Sequence, residues 1–291
     1  MVTSNSAISF SGLFSLLLLI LLFGSGCDPD EPTPAILLIP RLTFTAGADQ
    51  GSASADIREA WVTVDGVFLG AYPTPARVPV LATGTARVRV QAGIRESGVS
   101  TLPQIYPFYT EIERDLEFAP GRETELGTGA ITYRSDTRFA FIEDFENGTG
   151  RVFTSPFVGA ANFEPTTEDV FEGSFSGLLE LDTAQVIAQI ATELSYSGLT
   201  DSPQREVYLE MNFRSERNAL WGIIGRPGLQ LQTLYDVGFR PRSEWTKIYF
   251  NLGPTIIVSN YQIYGIAVQV PDETGVTGGK VFVDNIKLLH F

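Results

Sequence analysis

Residues 60–70 read AWVTVDGVFLG, and this stretch dictates a β architecture. Ala60, Val62 and Val64 alternate with Trp61 and Thr63, the period of two that puts apolar side chains on one face of a strand. Asp65-Gly66 then interrupts the run. That dipeptide suits the central positions of a hairpin turn, where both residues take positive φ, so it joins two antiparallel strands directly. Further on, Tyr72-Pro73-Thr74-Pro75 turns the chain and Arg87-Val88-Arg89-Val90-Gln91 alternates again. Between Tyr109 and Phe118, Ile112, Leu116 and Phe118 share one face while Glu111, Glu113, Asp115 and Glu117 share the other. Those four carboxylates read either as a cation site or as a solvated face offset by cross-strand Arg87 and Arg89, and the solvated face is favoured. Pro120-Gly121 turns into a last strand around Thr124 to Tyr133, and residues 36–135 are expected to form an antiparallel β-sandwich.

Arg134 to Arg138 is polar and without apolar period, and Phe139 opens a second domain, 139–291. Strand-like runs recur there: Phe175 to Leu181, Glu206 to Phe213, Trp221 to Ile224, Leu229 to Tyr235, Trp245 to Leu252, Ile263 to Val270 and Lys280 to Leu289. Ala184 to Leu199 is ambiguous. Val186, Ile187, Ile190, Ala191 and Leu194 fit a helical stripe, whereas the flanking strands favour a strand pair, which is the expectation adopted.

Two family resemblances refine this all-β reading. Residues 64–90, VDGVFLGAYPTPARVPVLATGTARVRV, resemble the PEGA-like and prealbumin-like sandwich modules of surface proteins. In the second half, Asp144-Phe145-Glu146, Gly173-Ser174-Phe175-Ser176, Ser243-Glu244-Trp245-Thr246-Lys247-Ile248-Tyr249 and Val281-Phe282-Val283-Asp284-Asn285-Ile286-Lys287-Leu288 follow one another. In that order they resemble the galactose-binding-like β-jelly-roll of many carbohydrate-binding modules. The implied fold is an Ig/prealbumin-like β-sandwich followed by a galactose-binding-like β-jelly-roll. The same resemblance implies a structural calcium held by Glu146, backbone carbonyls around Gly173 to Ser176, and Asp284, with Asp144 and Glu172 as further contributors. Calcium takes oxygen ligands of this kind. The alternative is that Asp284 caps the turn into Asn285 and Glu146 is solvated.

The chain opens on a segment of another kind. Leu13 to Phe23 is apolar but short of the roughly 20 residues of a membrane span, and fits an export signal over residues 1–26. Gly24-Ser25-Gly26-Cys27 resembles the lipobox of bacterial lipoproteins, which implies acylation of Cys27 and a membrane partner through that lipid anchor. The other reading is an ordinary secretory signal with a stray cysteine. Residues 27–35, beginning Cys27-Asp28-Pro29-Asp30-Glu31, form an acidic, proline-rich tether, similar to that of surface-displayed lipoproteins of Bacteroidota. The expected location is the cell envelope, at the outer membrane and surface-exposed under the Bacteroidota rule, whereas in proteobacterial lipoproteins an acidic residue after the cysteine implies retention at the inner membrane.

Composition excludes several chemistries. A formal charge of −14 argues against nucleic acid as a partner. His290 is the only histidine and Cys27 the only cysteine, which leaves no ligands for an ordinary zinc site and little for a Ser-His-Asp nucleophile. No cofactor is required. Trp61 and Trp245 fall in alternating strands and read as core or half-buried sheet residues. Trp221, Tyr235 and Tyr261 are the candidate ligand contacts, with Phe239 and Tyr264 near strand ends as lesser ones, although packing is the favoured reading of each, and the core that of Trp221. The expected function is a non-catalytic binding module for a glycan or another surface ligand. A structural or adaptor subunit of an envelope complex is the alternative, and a polysaccharide-active enzyme using paired carboxylates is the third.

Overall fold

The computed structural model describes residues 31–98, 103–146 and 151–291. Cys27 and the export segment lie outside the described residues. The first half contains β1 (Ala35–Ile39), β2 (Thr43–Phe44), β3 (Glu59–Val64), β4 (Val67–Pro73), β5 (Ala76–Val80), β6 (Gly84–Arg95), β7 (Pro103–Ile105), β8 (Ile112–Phe118), β9 (Glu123–Glu125) and β10 (Ala130–Ile131). Asp65 and Gly66 both take positive φ, 48° and 81°, at the tip of the β3–β4 hairpin. One sheet runs β4-β3-β6-β7 with β8 also on β6, and it faces β5-β1-β9 and the small β10-β2 pair. Ala60, Val62 and Val64 point into the core between them, and Trp61 points out, as the alternation requires. Arg87 pairs with Asp115 at 3.2 Å across β6–β8, and Arg89 stands opposite Glu113, so the carboxylate face of β8 is solvated and offset by arginines.

The second half contains β11 (Arg138–Glu143), β12 (Phe153–Val158), β13 (Glu164–Thr166), β14 (Ser176–Leu181), β15 (Ala188–Thr192), β16 (Val207–Ser215), β17 (Ala219–Gly225), β18 (Gln232–Phe239), β19 (Arg242–Asn251), a helix α1 (Gly253–Ser259), β20 (Tyr264–Val270) and β21 (Gly279–His290). A six-stranded sheet, β13-β14-β21-β16-β19 with β11 on β21, packs over a five-stranded sheet, β12-β15-β20-β17-β18. The chain is thus all-β, two sandwiches in tandem. The segment 184–199 forms the single strand β15 and an isolated bridge at Tyr196, where a strand pair was expected. Its apolar residues alternate faces, Ile190 inward and Ala191 outward, which mimics a helical stripe over a short window. Helix α1 was not anticipated; Pro254 in its first turn has the φ a helix start needs, and Ile256 anchors it to the core. Among the described residues no helix is long and apolar enough to cross a membrane.

The two sandwiches share a core. Tyr208, Tyr249 and Leu289, on the outer face of the six-stranded sheet, belong to the apolar cluster of the first sandwich. Between them lies Glu210, with 0% exposure. Lys247 Nζ approaches Glu210 Oε2 at 2.8 Å, and the Tyr133 hydroxyl donates to Glu210 Oε1. Lys287 Nζ donates to the Ser52 carbonyl at 2.6 Å and lies 5.0 Å from the centre of the Tyr133 ring. Burial opposes the Glu210 charge, but Lys247 and Lys287 overcome it and hold the carboxyl below its usual range. Burial also brings Lys287 down to about 8. The loop before β3 straps over the same sheet: Asn212 Nδ2 donates to Ser54 Oγ at 2.9 Å, and the Asp56 amide donates to the Tyr249 hydroxyl at 2.8 Å.

A buried ion pair broken from one side leaves an uncompensated charge, which costs about 3–5 kcal/mol. Glu210→Gln keeps the side-chain shape and strands two ammoniums. Urea unfolding of this variant at pH 7 is expected to show a loss of about that size; a change under about 1 kcal/mol, the value of an exposed pair, would mean that the junction is wet.

Candidate functional site

Docking of the first sandwich covers part of the outer face of the six-stranded sheet, whereas the outer face of the five-stranded sheet has no layer over it among the described residues. Along β17, Trp221 and Ile223 point into the core while Leu220, Gly222 and Ile224 point out. The β17–β18 register shifts between Trp221 and Gly222, pairing Gly222 with Tyr235, so Tyr235 also faces out. A Cβ on Gly222 would sit 1.9 Å from the Leu234 carbonyl oxygen, so only glycine permits this close approach. The row across the sheet then reads Ser155, Ala191, Ala267, Gly222, Tyr235. Ala191 and Ala267 are 2% and 0% exposed although they face away from the main core. They are covered by a small cluster with Ile224, packed around by Phe157, Leu194 and Tyr235. The result is a shallow trough of small residues filled by Phe157, Leu194 and Tyr235, whose half-buried side chains form its surface. In the adjacent row Gln189 and Gln269 are register partners, half-buried, with Leu220 beside Gln269. Burial raises the Tyr235 hydroxyl to about 12, so it is a protonated phenol at neutral pH.

Leu194 also lines a cleft of about 580 Å³ with Arg226, Asn260, Tyr261, Gln262 and Ile263. Tyr261 lies over Gly225, where a Cβ would come 2.3 Å from its Cδ2. Tyr235 and Tyr261 therefore sit on different surfaces, both bordered by Leu194. Trp221 does not join them: it is 0% exposed, with Phe153 at 5.7 Å edge-on and Phe163 at 6.4 Å nearly parallel. Its place in the core is the favoured of its two sequence readings and removes it from the candidate ligand contacts; the alternation that turns Gly222 outward turns Trp221 inward. Phe239 and Tyr264 are core residues for the same reason. Gln189, Gln269 and Phe157 were missed in the sequence reading. Gln189 and Gln269 each interrupt an apolar strand, AQIAT and AVQV, and that interruption was the available signal.

The motifs of the second half do converge. Strand β11 ends at Glu143, and Phe145 takes a φ of 61° and fills the space over Gly177. Asp144 and Glu146 are therefore not neighbours on a strand face; Asp144 Oδ1 instead accepts the Glu146 amide at 3.1 Å. Glu146 Oε1 accepts the amides of Ser174 at 2.6 Å and Phe175 at 2.8 Å. Asp284 accepts the amides of Glu172 at 3.1 Å and Asn285 at 2.7 Å, and Asn285 takes a φ of 52°. Glu172 Oε2 in turn accepts from Ser52 Oγ. The implied calcium needs carbonyl oxygens here, but the loop turns its N–H groups toward Glu146. No cluster of three or more ligating side chains forms among the described residues. The carboxylates and amides form a hydrogen-bonded latch. His290 ends β21, its Nδ1 3.0 Å from the Phe291 carbonyl oxygen, with burial lowering its pKa.

No family model matches the chain, and no curated protein matches it. Solved structures similar to part of it include the CBM22-1 xylan-binding domain of Paenibacillus barcinonensis Xyn10C, at 13% identity over 52% of this chain and 93% of that one, TM-score 0.37. The C-terminal family 22 carbohydrate-binding module of Clostridium thermocellum Xyn10B is similar at 14% identity over 52% and 92%, TM-score 0.37. A variant of the family 29 module CBM29-2 complexed with cellulohexaose gives 9% identity over 54% and 92%, TM-score 0.35.

Burial raises Asp284 from 3.8 to about 7 against the pull of the backbone amides. The folded state then holds an extra proton between those values, so this group's contribution to stability falls as pH rises from about 4 to about 7. Urea midpoints at pH 5 and pH 8 are expected to drop less in Asp284→Asn than in the wild type; equal drops would show that Asp284 titrates normally.

Proposed function

We propose that this chain is a non-catalytic, lipid-anchored protein of the cell envelope whose second sandwich binds a glycan along the outer face of its five-stranded sheet. One observation carries the reading: on the outer face Phe157 and Tyr235 lie over the small residues Ala191, Ala267 and Gly222, and present a half-buried aromatic surface beside Gln189 and Gln269. A pyranose ring offers apolar C–H faces and a rim of hydroxyls. The aromatic surface matches the first, and the Gln189 and Gln269 amides, which donate and accept, match the second. A net charge of −14 favours a neutral glycan over a polyanionic one. Anchoring rests on Cys27, whose acylation would hold the sandwiches outside a membrane without a spanning helix. A second reading, an adaptor that binds a partner protein, is favoured by Leu229 at 96% and Val258 at 80% exposure.

A glycan array probed with the whole chain is expected to give binders whose affinity falls at least tenfold in Tyr235→Ala. Unaltered affinity would remove the trough from the reading, and a co-purifying protein with no glycan signal would favour the adaptor. Radioactive palmitate is expected to label the wild type and spare Cys27→Ala; equal labelling of the two would overturn the anchor.

A further inference from the structure

The first sandwich carries another aromatic surface, and it leads into the junction. On the outer face of the β4-β3-β6 sheet, Trp61 lies over Gly93, where a Cβ would come 2.8 Å from its Nε1. The missing side chain is what lets the indole rest on the sheet. Phe68, 53% exposed on edge strand β4, stacks against Trp61 with ring centres 5.3 Å apart and planes at 27°. Gln91 is the register partner of Trp61 on β6. The same Gln91 lines a cleft of about 610 Å³ whose walls come from both sandwiches, with Tyr106 and Tyr109 from the first and Gln204 and Glu206 from the second. Clefts between packed units are where small ligands commonly bind.

The lining selects among occupants. Glu111 and Glu206 both line the cleft, and its cation Arg134 is paired with Asp136 at 2.7 Å, so a phosphate or other polyanion is disfavoured; the amides of Gln91 and Gln204 leave an aliphatic chain with unmet polar groups. An uncharged ligand with a stackable apolar face and many hydroxyls meets both conditions. We propose that Trp61, Phe68, Gln91, Gln204 and Glu206 form a second glycan-binding surface, with one sugar ring against the Trp61–Phe68 pair and the chain continuing into the cleft between the sandwiches. This rests on the glycan reading of the chain but not on the trough, which lies on another sheet. Two separate sites on one chain would raise the avidity for a long polysaccharide without any new contact.

The test is isothermal titration calorimetry of the whole chain with cellohexaose, xylohexaose and mannohexaose. Two sites per chain are expected for at least one probe, with Tyr235→Ala and Trp61→Ala each removing a different one. Gly93→Ala, which lifts the indole from its seat, and Gln204→Ala, an exposed change on the other sandwich, are each expected to weaken the Trp61-dependent site at least tenfold. These two keep the test decisive if Trp61→Ala disturbs folding. A single site abolished by Tyr235→Ala and untouched by Trp61→Ala, Gly93→Ala and Gln204→Ala overturns the inference and leaves the trough standing. A single site with the opposite dependence upholds it and removes the trough. No binding to any probe overturns both.

Discussion

The architecture turns on placing one carboxylate and two ammoniums out of water at a junction. Moving an ion into a protein interior costs several kcal/mol even after relaxation, and only good geometry with a partner offsets it. Glu210, Lys247 and Lys287 meet that condition only with both sandwiches present, because Tyr133 and the Ser52 carbonyl, which complete their coordination, come from the first. The tyrosines around them, Tyr106, Tyr109, Tyr208 and Tyr249, supply apolar area and hydroxyls together. Separation of the sandwiches would expose those rings and strand the polar groups among them. The junction is thus specified by polar partners and stabilised by aromatic burial.

That docking sets which surfaces are left for function. The six-stranded sheet gives up part of its outer face to the first sandwich and the strap before β3. The five-stranded sheet keeps its own. Gly222, Ala191 and Ala267 have little or no side chain, so Phe157 and Leu194 pack down over them, and the β18 register shift turns Tyr235 outward beside them. The same docking creates the cleft lined by Gln91 and Glu206, which neither sandwich could form alone.

At the other end of the second sandwich the motifs act on one another through hydrogen bonds. Glu146 takes two amides of the Gly173 loop, and Asp284 takes the amides of Glu172 and Asn285, so the end of β11, that loop and the bulge in β21 are tied together. A carboxylate that accepts several backbone N–H groups offsets loop entropy much as a bound ion would.

The sequence by itself determined the β class, the hairpin at Asp65-Gly66, most strands of the second sandwich and the pairing of Arg87 and Arg89 with the β8 carboxylates. All of these follow from alternation and turn chemistry among neighbouring residues. It placed Glu146, the Gly173 loop and Asp284 in one constellation, but not the orientation of the peptide groups between them, because a loop's N–H and C=O vectors depend on φ values such as those of Phe145 and Asn285. It marked Trp221 and Tyr235 alike as aromatic and could not separate them. Which one faces out depends on the register shift opposite Gly222, and that follows from how β18 pairs. Nor could period two say that Glu210 is buried and Glu113 solvated, since both alternate with apolar residues. Only the tertiary structure decided that, because burial of a strand's second face depends on a partner more than 70 residues away in the chain, Tyr133 against Glu210.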